Sequence, residues 1–222
     1  MSDSLIGLVG EDYVIVAAET GHARSIIKMK GDEDKIMQLD KYKLLAASGE
    51  SGDRVHFCEY IKRNVNLFEF RHGYPMSVNA AANFTRTQLA EALRSQPYQT
   101  NLLFAGFDAP DTNNPKPELR HSGGPSLYFI DYLASLQKID FAGQGYTGYF
   151  VLSIMDRYYK KGMKYEEGMQ LVEMCIQQMQ NRFLLDQSSW IVKVITKDGV
   201  KVVRNDAAQK SKDYTLNDIT DS

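Results

Sequence analysis

The chain has 222 residues, of which 43% are hydrophobic, and this is enough to bury one substantial core. Its formal net charge of −2 gives no broad attraction for phosphate backbones or anionic lipid, which argues against nucleic-acid binding and membrane-surface binding. Two cysteines are too few for a disulfide framework. No apolar run approaches the roughly 20 residues of a membrane span, and the N-terminus lacks a basic region followed by an apolar signal segment. We therefore expect a soluble cytosolic or nuclear chain.

The first half of the chain predicts a sheet followed by two helices. Two apolar runs separated by Gly10-Glu11-Asp12 predict an opening hairpin, and further strands are predicted at 25–28, 35–39 and 43–48. Apolar residues at helical spacing predict a helix from about Ser51 to Phe70. A second helix is predicted after Ser77 as its N-cap, and Gln96-Pro97 ends it before a strand at 101–108.

The second half predicts another sheet and two more helices. Residues 109–125 carry four of the six prolines and predict a long exposed loop. Strands at 126–130 and 133–137, joined through Asp131-Tyr132, predict a hairpin. Helices are predicted at 149–159 and 165–185, and strands at 190–196 and 200–204 flank the turn signal Asp198-Gly199.

This order of elements predicts the fold class. Two sheets can stack face to face, with a pair of helices covering each outer face. We therefore predict an α+β fold, a four-layer αββα sandwich. We expect one domain over residues 1–204 and a loose polar tail over residues 205–222, because most residues after Asn205 are polar.

Several segments together resemble the beta-type subunits of the eukaryotic 20S proteasome, and closest the non-catalytic type-2 class at the fourth position of the beta ring. The segments that carry the resemblance are residues 5–7, 13–17, 49–53, 80–86, 101–103 and 153–159. The resemblance covers about residues 4–204. The sequence departs from the family in the loop 109–125 and in the tail. It implies the N-terminal-nucleophile hydrolase type of αββα sandwich. It also implies a cytoplasmic and nuclear chain with three kinds of partner: other beta subunits in a seven-membered ring, alpha-ring subunits, and the opposite beta ring near the third and fourth helices.

Active members of that family use an N-terminal threonine, whose own α-amine serves as the base. The resemblance places Asp3 at the threonine position and Glu19 at an aspartate position. Lys35 matches the family's lysine, and Gly49 matches the glycine whose N–H helps to form the oxyanion hole. No Gly-Thr dipeptide, the usual processing junction, occurs in the chain.

Three later positions of the active site also depart from the family. Serine, aspartate and serine are usual there, and the resemblance places Tyr146, Phe183 and Asp186 at them. It therefore implies no catalytic residue in this chain, only a degenerate set of site positions. The implied function is a structural beta subunit of the chamber used for ubiquitin- and ATP-dependent protein degradation, with peptide hydrolysis supplied by neighbouring subunits.

Two other functions stay open at this point. The chain could be a self-sufficient N-terminal-nucleophile hydrolase that uses Ser2 or Ser4 after trimming, although Ser2 lies one residue before the expected position and out of phase on the strand. It could also be an interaction protein that works outside the particle.

No cofactor and no metal are predicted. Residues 143–148 match the G-x-G-x-x-G pattern of dinucleotide-binding proteins, but they lie late in the chain, between a predicted hairpin and a predicted helix. The glycines are better explained by a tight entry into that helix. The four histidines show no spacing that would place two metal ligands on one face.

Overall fold

The computed structural model of the chain describes residues 3–24, 27–109, 123–183 and 188–208. Most of the predicted loop at 109–125, the predicted tail beyond residue 208, and Asp186 fall outside these residues.

The described residues form the strands and helices in the following order. The first strands and helices are β1 (Leu5–Val9), β2 (Tyr13–Glu19), β3 (His22–Arg24), β4 (Ile27–Lys30), β5 (Ile36–Asp40), β6 (Lys43–Gly49), α1 (Ser51–His72) and α2 (Val78–Ala92). They are followed by β7 (Thr100–Asp108), β8 (Gly124–Ile130), β9 (Leu136–Ile139), β10 (Phe141–Gln144), α3 (Thr147–Tyr158), α4 (Tyr165–Arg182), β11 (Trp190–Thr196) and β12 (Gly199–Asn205).

Two five-stranded antiparallel sheets stack between two pairs of helices. Sheet 1 has the order β10-β1-β2-β11-β12, and sheet 2 has the order β5-β6-β7-β8-β9. Helices α3 and α4 pack on sheet 1, whereas α1 and α2 pack on sheet 2. Three apolar clusters fill the spaces between the four layers, one between the sheets and one under each helix pair. The predicted αββα sandwich is confirmed.

Strand β2 shows why the core strands read as continuous apolar runs. All seven of its residues are buried. Tyr13, Ile15 and Ala17 face α3 and α4, whereas Val14, Val16 and Ala18 face sheet 2. Because successive side chains of a strand point to opposite faces, a strand in the middle of this sandwich needs apolar side chains on both.

The helix termini follow local signals in the sequence. The Ser77 side chain accepts a hydrogen bond from the Ala80 amide at the start of α2, as its predicted N-cap role requires. Helix α1 ends at His72 and is capped by Gly73, whose φ of 76° is left-handed. Helix α2 ends earlier than the Gln96-Pro97 signal, at Ala92.

No helix among the described residues is long and apolar enough to cross a membrane.

Two predictions about the second sheet region were wrong. The turn after β8 spans Asp131 to Ser135 rather than Asp131-Tyr132, so the next strand starts at Leu136. The cause is Asp131, whose carboxylate accepts hydrogen bonds from the amides of Leu133 and Ser135 and so extends the turn. Strand β8 also begins at Gly124, within the predicted loop.

The short strand β10 was not predicted. Its residues, Phe141 to Gln144, include a glycine and form only four positions at the edge of sheet 1. A strand this short carries too little alternation to be recognised in sequence. The pairing with β1 supplies the missing information, because it joins residues more than 130 positions apart.

Buried polar side chains link the two sheets. Gln144 in sheet 1 donates to the Leu102 carbonyl oxygen at 2.9 Å, and its own amide oxygen accepts from Ser48 Oγ at 3.1 Å. Lys193 in β11 reaches the segment before β5, where its Nζ lies 2.6 Å from both Asp34 Oδ2 and the Ile36 carbonyl oxygen. These bonds fix the two sheets relative to each other at the end where the candidate site lies.

Candidate functional site

Asp3 lies at the entrance to β1 and is buried, with 7% of its surface exposed. The adjacent Ser4 carbonyl oxygen accepts from the Glu19 amide at 3.0 Å, which fixes the main chain on β2. Asp3 Oδ1 lies 2.6 Å from Lys35 Nζ, and Oδ2 accepts from the Gly49 amide at 3.0 Å. Both carboxylate oxygens are therefore engaged by donors from sheet 2.

Lys35 directly precedes β5, and its side chain is fully buried. Besides Asp3, its ammonium donates to the Gly21 carbonyl oxygen at 2.7 Å and to Glu19 Oε2 at 3.4 Å. An ammonium has three protons, so these three acceptors use all of them. The structure therefore brings Asp3, Glu19 and Lys35, which the family resemblance singled out, into one buried cluster.

Gly49 is the last residue of β6, directly before the connection to α1. Residues other than glycine rarely adopt its backbone φ of 133°, and a Cβ atom at this position would lie 2.1 Å from the Gln99 carbonyl oxygen. This conformation presents the Gly49 N–H to the Asp3 carboxylate. The family resemblance predicts that this N–H helps to form an oxyanion hole. In the structure, the Asp3 carboxylate accepts its hydrogen bond.

Arg54 is a member of the cluster that sequence reasoning missed. It lies in the first turn of α1 with 3% of its side chain exposed. Its guanidinium contacts Asp3 Oδ2 at 3.5 Å and Glu33 Oε1 at 2.5 Å. A charged residue early in a largely polar helix is usually solvated, and only its place beside the buried Asp3 reveals its role.

The electrostatics of the cluster separate its carboxylates. Burial alone would raise the pKa of Asp3, but Lys35, the Gly49 amide and Arg54 together hold it below its ordinary value. Burial raises the pKa of Glu19 above its ordinary value, because the more distant Lys35 contact only partly offsets it. Asp3 is therefore the carboxylate that the site stabilises in its ionised form.

The remaining matched positions lie beside this cluster. Tyr146 is the residue that precedes α3, and its ring packs on Phe183 with the centroids 5.2 Å apart. Gly145 touches the Asp3 main chain so closely that an added Cβ would lie 2.0 Å from the Asp3 carbonyl oxygen. Tyr146 and Phe183, which the family resemblance predicts to be degenerate site positions, therefore pack on each other, and Asp186 lies outside the described residues.

An open cavity of about 340 Å³ lies next to the Asp3 carboxylate. Its lining residues come from both sheets and the intervening turns: Asp3, Ser48, Gly49, Glu50, Gln99, Asn101, Tyr132 and Gly145. Small solutes in water therefore have a path to the side of the cluster.

The described residues give no independent support for a cofactor or metal site. The glycine-rich residues 143–148 pass from the antiparallel β10 into α3, so they do not belong to a parallel βαβ unit. In the described part of the chain, no group of three or more His, Cys, Asp or Glu residues could hold a metal ion. Cys58 and Cys175 are free and lie in different apolar clusters, where burial raises the pKa of each thiol to about 12.

The sequence is similar to known proteins over most of its length. A family model described as "Proteasome subunit" matches residues 1–195. The chain is 47% identical to proteasome subunit beta type-2-B of Arabidopsis thaliana over 90% of its own length and 94% of that protein. It is 41% identical to proteasome subunit beta type-2 of Dictyostelium discoideum, and 35% identical to proteasome subunit beta type-4 of Saccharomyces cerevisiae, over 93% of the chain and 100% of each relative.

Proposed function

The chain belongs to the proteasome subunit family, and on that premise we propose that it is a structural beta subunit of the 20S core particle that does not itself cleave peptide bonds. The complex is a threonine-type protease, and neighbouring subunits would supply its activity.

The observation that carries this proposal is the Asp3 carboxylate bound to both Lys35 and the Gly49 amide. Threonine-type hydrolysis needs a hydroxyl to attack the substrate and a free N–H to stabilise the developing oxyanion. Asp3 has no hydroxyl, and its carboxylate already accepts the Gly49 N–H. Both requirements are therefore unmet at this position.

Hydrolysis by one of the neighbouring serines is not favoured. Ser4 has no exposed surface, so its hydroxyl does not reach a substrate. Ser2 lies outside the described residues. The relatives named above are beta subunits of the proteasome, which supports assembly rather than an independent hydrolase.

Exposed apolar side chains on the outer helices support the proposed contacts. Phe70 on α1 is 87% exposed, and Tyr149 on α3 is 82% exposed. Large exposed apolar side chains on a helix favour burial against a partner. We assign these faces to neighbours in a seven-membered beta ring, to the alpha ring and, for α3 and α4, to the opposite beta ring. Residence in cytoplasm and nucleus follows from this role.

The proposal is tested on core particles purified through a tag on this chain. Size-exclusion chromatography should place the chain at the mass of the particle together with the other subunits. Elution only at the mass of a single chain would instead support an interaction protein outside the particle.

The particles are then treated with a peptide epoxyketone, and each subunit is measured by intact mass. Threonine subunits of the same particle should gain the mass of the probe and serve as the internal control, whereas an adduct on this chain would refute its inactivity.

A further inference from the structure

We propose that the donors around Asp3 form a binding site for a small carboxylate, which the chain fills with its own Asp3 side chain. Removing that side chain should leave a pocket that takes formate or acetate from solution. This inference is independent of the proposed function, because it concerns what holds the N-terminal strand in place and not whether a substrate is cleaved.

The donors converge from three separate segments. Lys35 Nζ lies 2.6 Å from Asp3 Oδ1, whereas the Gly49 amide and Arg54 Nη1 lie 3.0 Å and 3.5 Å from Oδ2. The Lys35 side chain is 0% exposed and the Arg54 side chain 3% exposed. Buried cations aimed at one point, together with a main-chain N–H, are the groups that bind a carboxylate strongly.

Each donor is held by partners other than Asp3. Lys35 also bonds the Gly21 carbonyl oxygen at 2.7 Å, and Arg54 bonds Glu33 at 2.5 Å. The turn that contains Gly49 is fixed by a hydrogen bond from the Glu50 amide to the Gln99 carbonyl oxygen at 3.1 Å. The site should therefore keep its shape when the Asp3 carboxylate is removed.

Local pairing with Lys35, rather than net charge, favours a replacement carboxylate. The native cluster contains two cations, Lys35 and Arg54, and three carboxylates, those of Asp3, Glu19 and Glu33. Removing Asp3 takes away the carboxylate closest to Lys35. A free carboxylate bound in the same place restores the native set of charges and hydrogen bonds.

The sizes of the missing groups define the ligands. Changing Asp3 to Ala removes a carboxylate, which formate matches. Changing Asp3 to Gly also removes the methylene, and acetate matches the larger loss. The cavity of about 340 Å³ beside Asp3 provides the route of entry.

The test measures thermal unfolding of the full-length chain at pH 7 in 100 mM formate, acetate or chloride. With a dissociation constant of about 10 mM, formate should raise the melting temperature of Asp3→Ala by about 3–6 °C relative to chloride. Asp3→Gly should respond more to acetate than to formate. Wild type and Asp3→Asn serve as matched controls and should show no formate-specific rise, because a side chain fills the pocket in both.

Two results would overturn the proposal. One is an equal effect of formate and chloride on Asp3→Ala, and the other is an equal formate effect on Asp3→Ala and Asp3→Asn. If Asp3→Ala does not fold in chloride, the denatured variant is refolded in each salt and the folded yield is measured. A higher yield in formate supports the site, and equal yields contradict it.

Discussion

The ammonium of Lys35 lies 2.6 Å from the Asp3 carboxylate, and each side chain is at least nine-tenths buried. This pair joins the N-terminal strand of sheet 1 to the edge of sheet 2. Because neither charge is well solvated, each depends on the other for its stability in the folded state.

Changing Asp3 to Asn should destabilise the protein strongly. The substitution keeps the shape but leaves Lys35 without its nearest counter-charge, so we expect a loss of about 3 kcal/mol in the free energy of unfolding. Glu19→Gln is the matched control. Glu19 lies 3.4 Å from Lys35, and a glutamine can still accept from the Gly21 amide, so the loss should be about 1 kcal/mol. Urea denaturation of the two variants measures the two losses of stability. Equal losses would contradict the larger stabilising contribution that we assign to Asp3.

The stabilisation by Asp3 should disappear in acid. Its pKa is lowered in the folded protein, so its contribution is complete above the ordinary aspartate value of about 4 and is lost as the pH falls through the folded pKa. The difference in stability between wild type and Asp3→Asn should therefore be full at pH 7 and shrink below pH 4. Urea denaturation of both proteins from pH 7 to pH 3 measures it.

Glu19 should show the opposite pH dependence. Its pKa is raised in the folded protein, so its contribution is present below the ordinary glutamate value and is lost as the pH rises through the folded pKa. The stability of wild type relative to Glu19→Gln should be more favourable near pH 4 than at pH 7. A pH-independent difference would show that folding does not shift this carboxyl.

Gly49→Ala should cost about 3 kcal/mol, because it combines an unfavourable φ with a contact of 2.1 Å to the Gln99 main chain. Gly73→Ala is the control. Gly73 also has a left-handed φ, but no atom lies within 4 Å of an added Cβ, so only about 1 kcal/mol should be lost. Thermal unfolding of both variants separates the steric effect from the conformational one.

Gln144→Leu should destabilise the junction of the two sheets by about 2 kcal/mol, because Ser48 Oγ and the Leu102 carbonyl oxygen lose a buried partner. Gln38→Leu removes an exposed amide that donates to the Asp40 carbonyl oxygen, and it should change stability by less than about 0.5 kcal/mol. Urea denaturation measures both, and similar effects would contradict a role for Gln144 in joining the sheets.

Replacing Asp3 with threonine in a chain trimmed to begin at that residue should not create a protease. Tyr146 and Phe183 pack on each other, and the family resemblance predicts that they replace a serine and an aspartate, so we expect the hydroxyl to lack supporting groups. Core particles that carry this variant should hydrolyse fluorogenic peptides at the wild-type rate, and the chain should acquire no epoxyketone adduct. Labelling of the new threonine would show that the supporting residues are dispensable.

Much of the fold could be predicted because its signals are local. The Asp198-Gly199 turn and the apolar spacing of α4 depend only on neighbouring residues, and both elements are present near their predicted bounds. The side chain of Asp131 set the mispredicted turn, and the pairing of β10 with β1 set the strand that was not predicted; neither leaves a periodic pattern in the sequence.

The site was harder to predict than the fold. The family resemblance selected Asp3, Glu19, Lys35 and Gly49 as site positions, and the structure places these residues together. It gave no reason to select Arg54, because burial of a guanidinium depends on residues that approach it from other segments. The roles of Tyr146 and Phe183 as degenerate positions stay predictions.

The apolar character of both faces of β2 has a consequence for strand alignment during folding. Since a slip by one position would exchange one set of apolar side chains for another, hydrophobicity alone penalises misalignment weakly. Polar anchors at the two termini of the strand must supply the penalty. The Tyr13 hydroxyl donates to the Lys164 carbonyl oxygen at 3.0 Å, and Glu19 contacts Lys35 at the other terminus. The buried cluster around Lys35 would thus help to fix the register of the central strand.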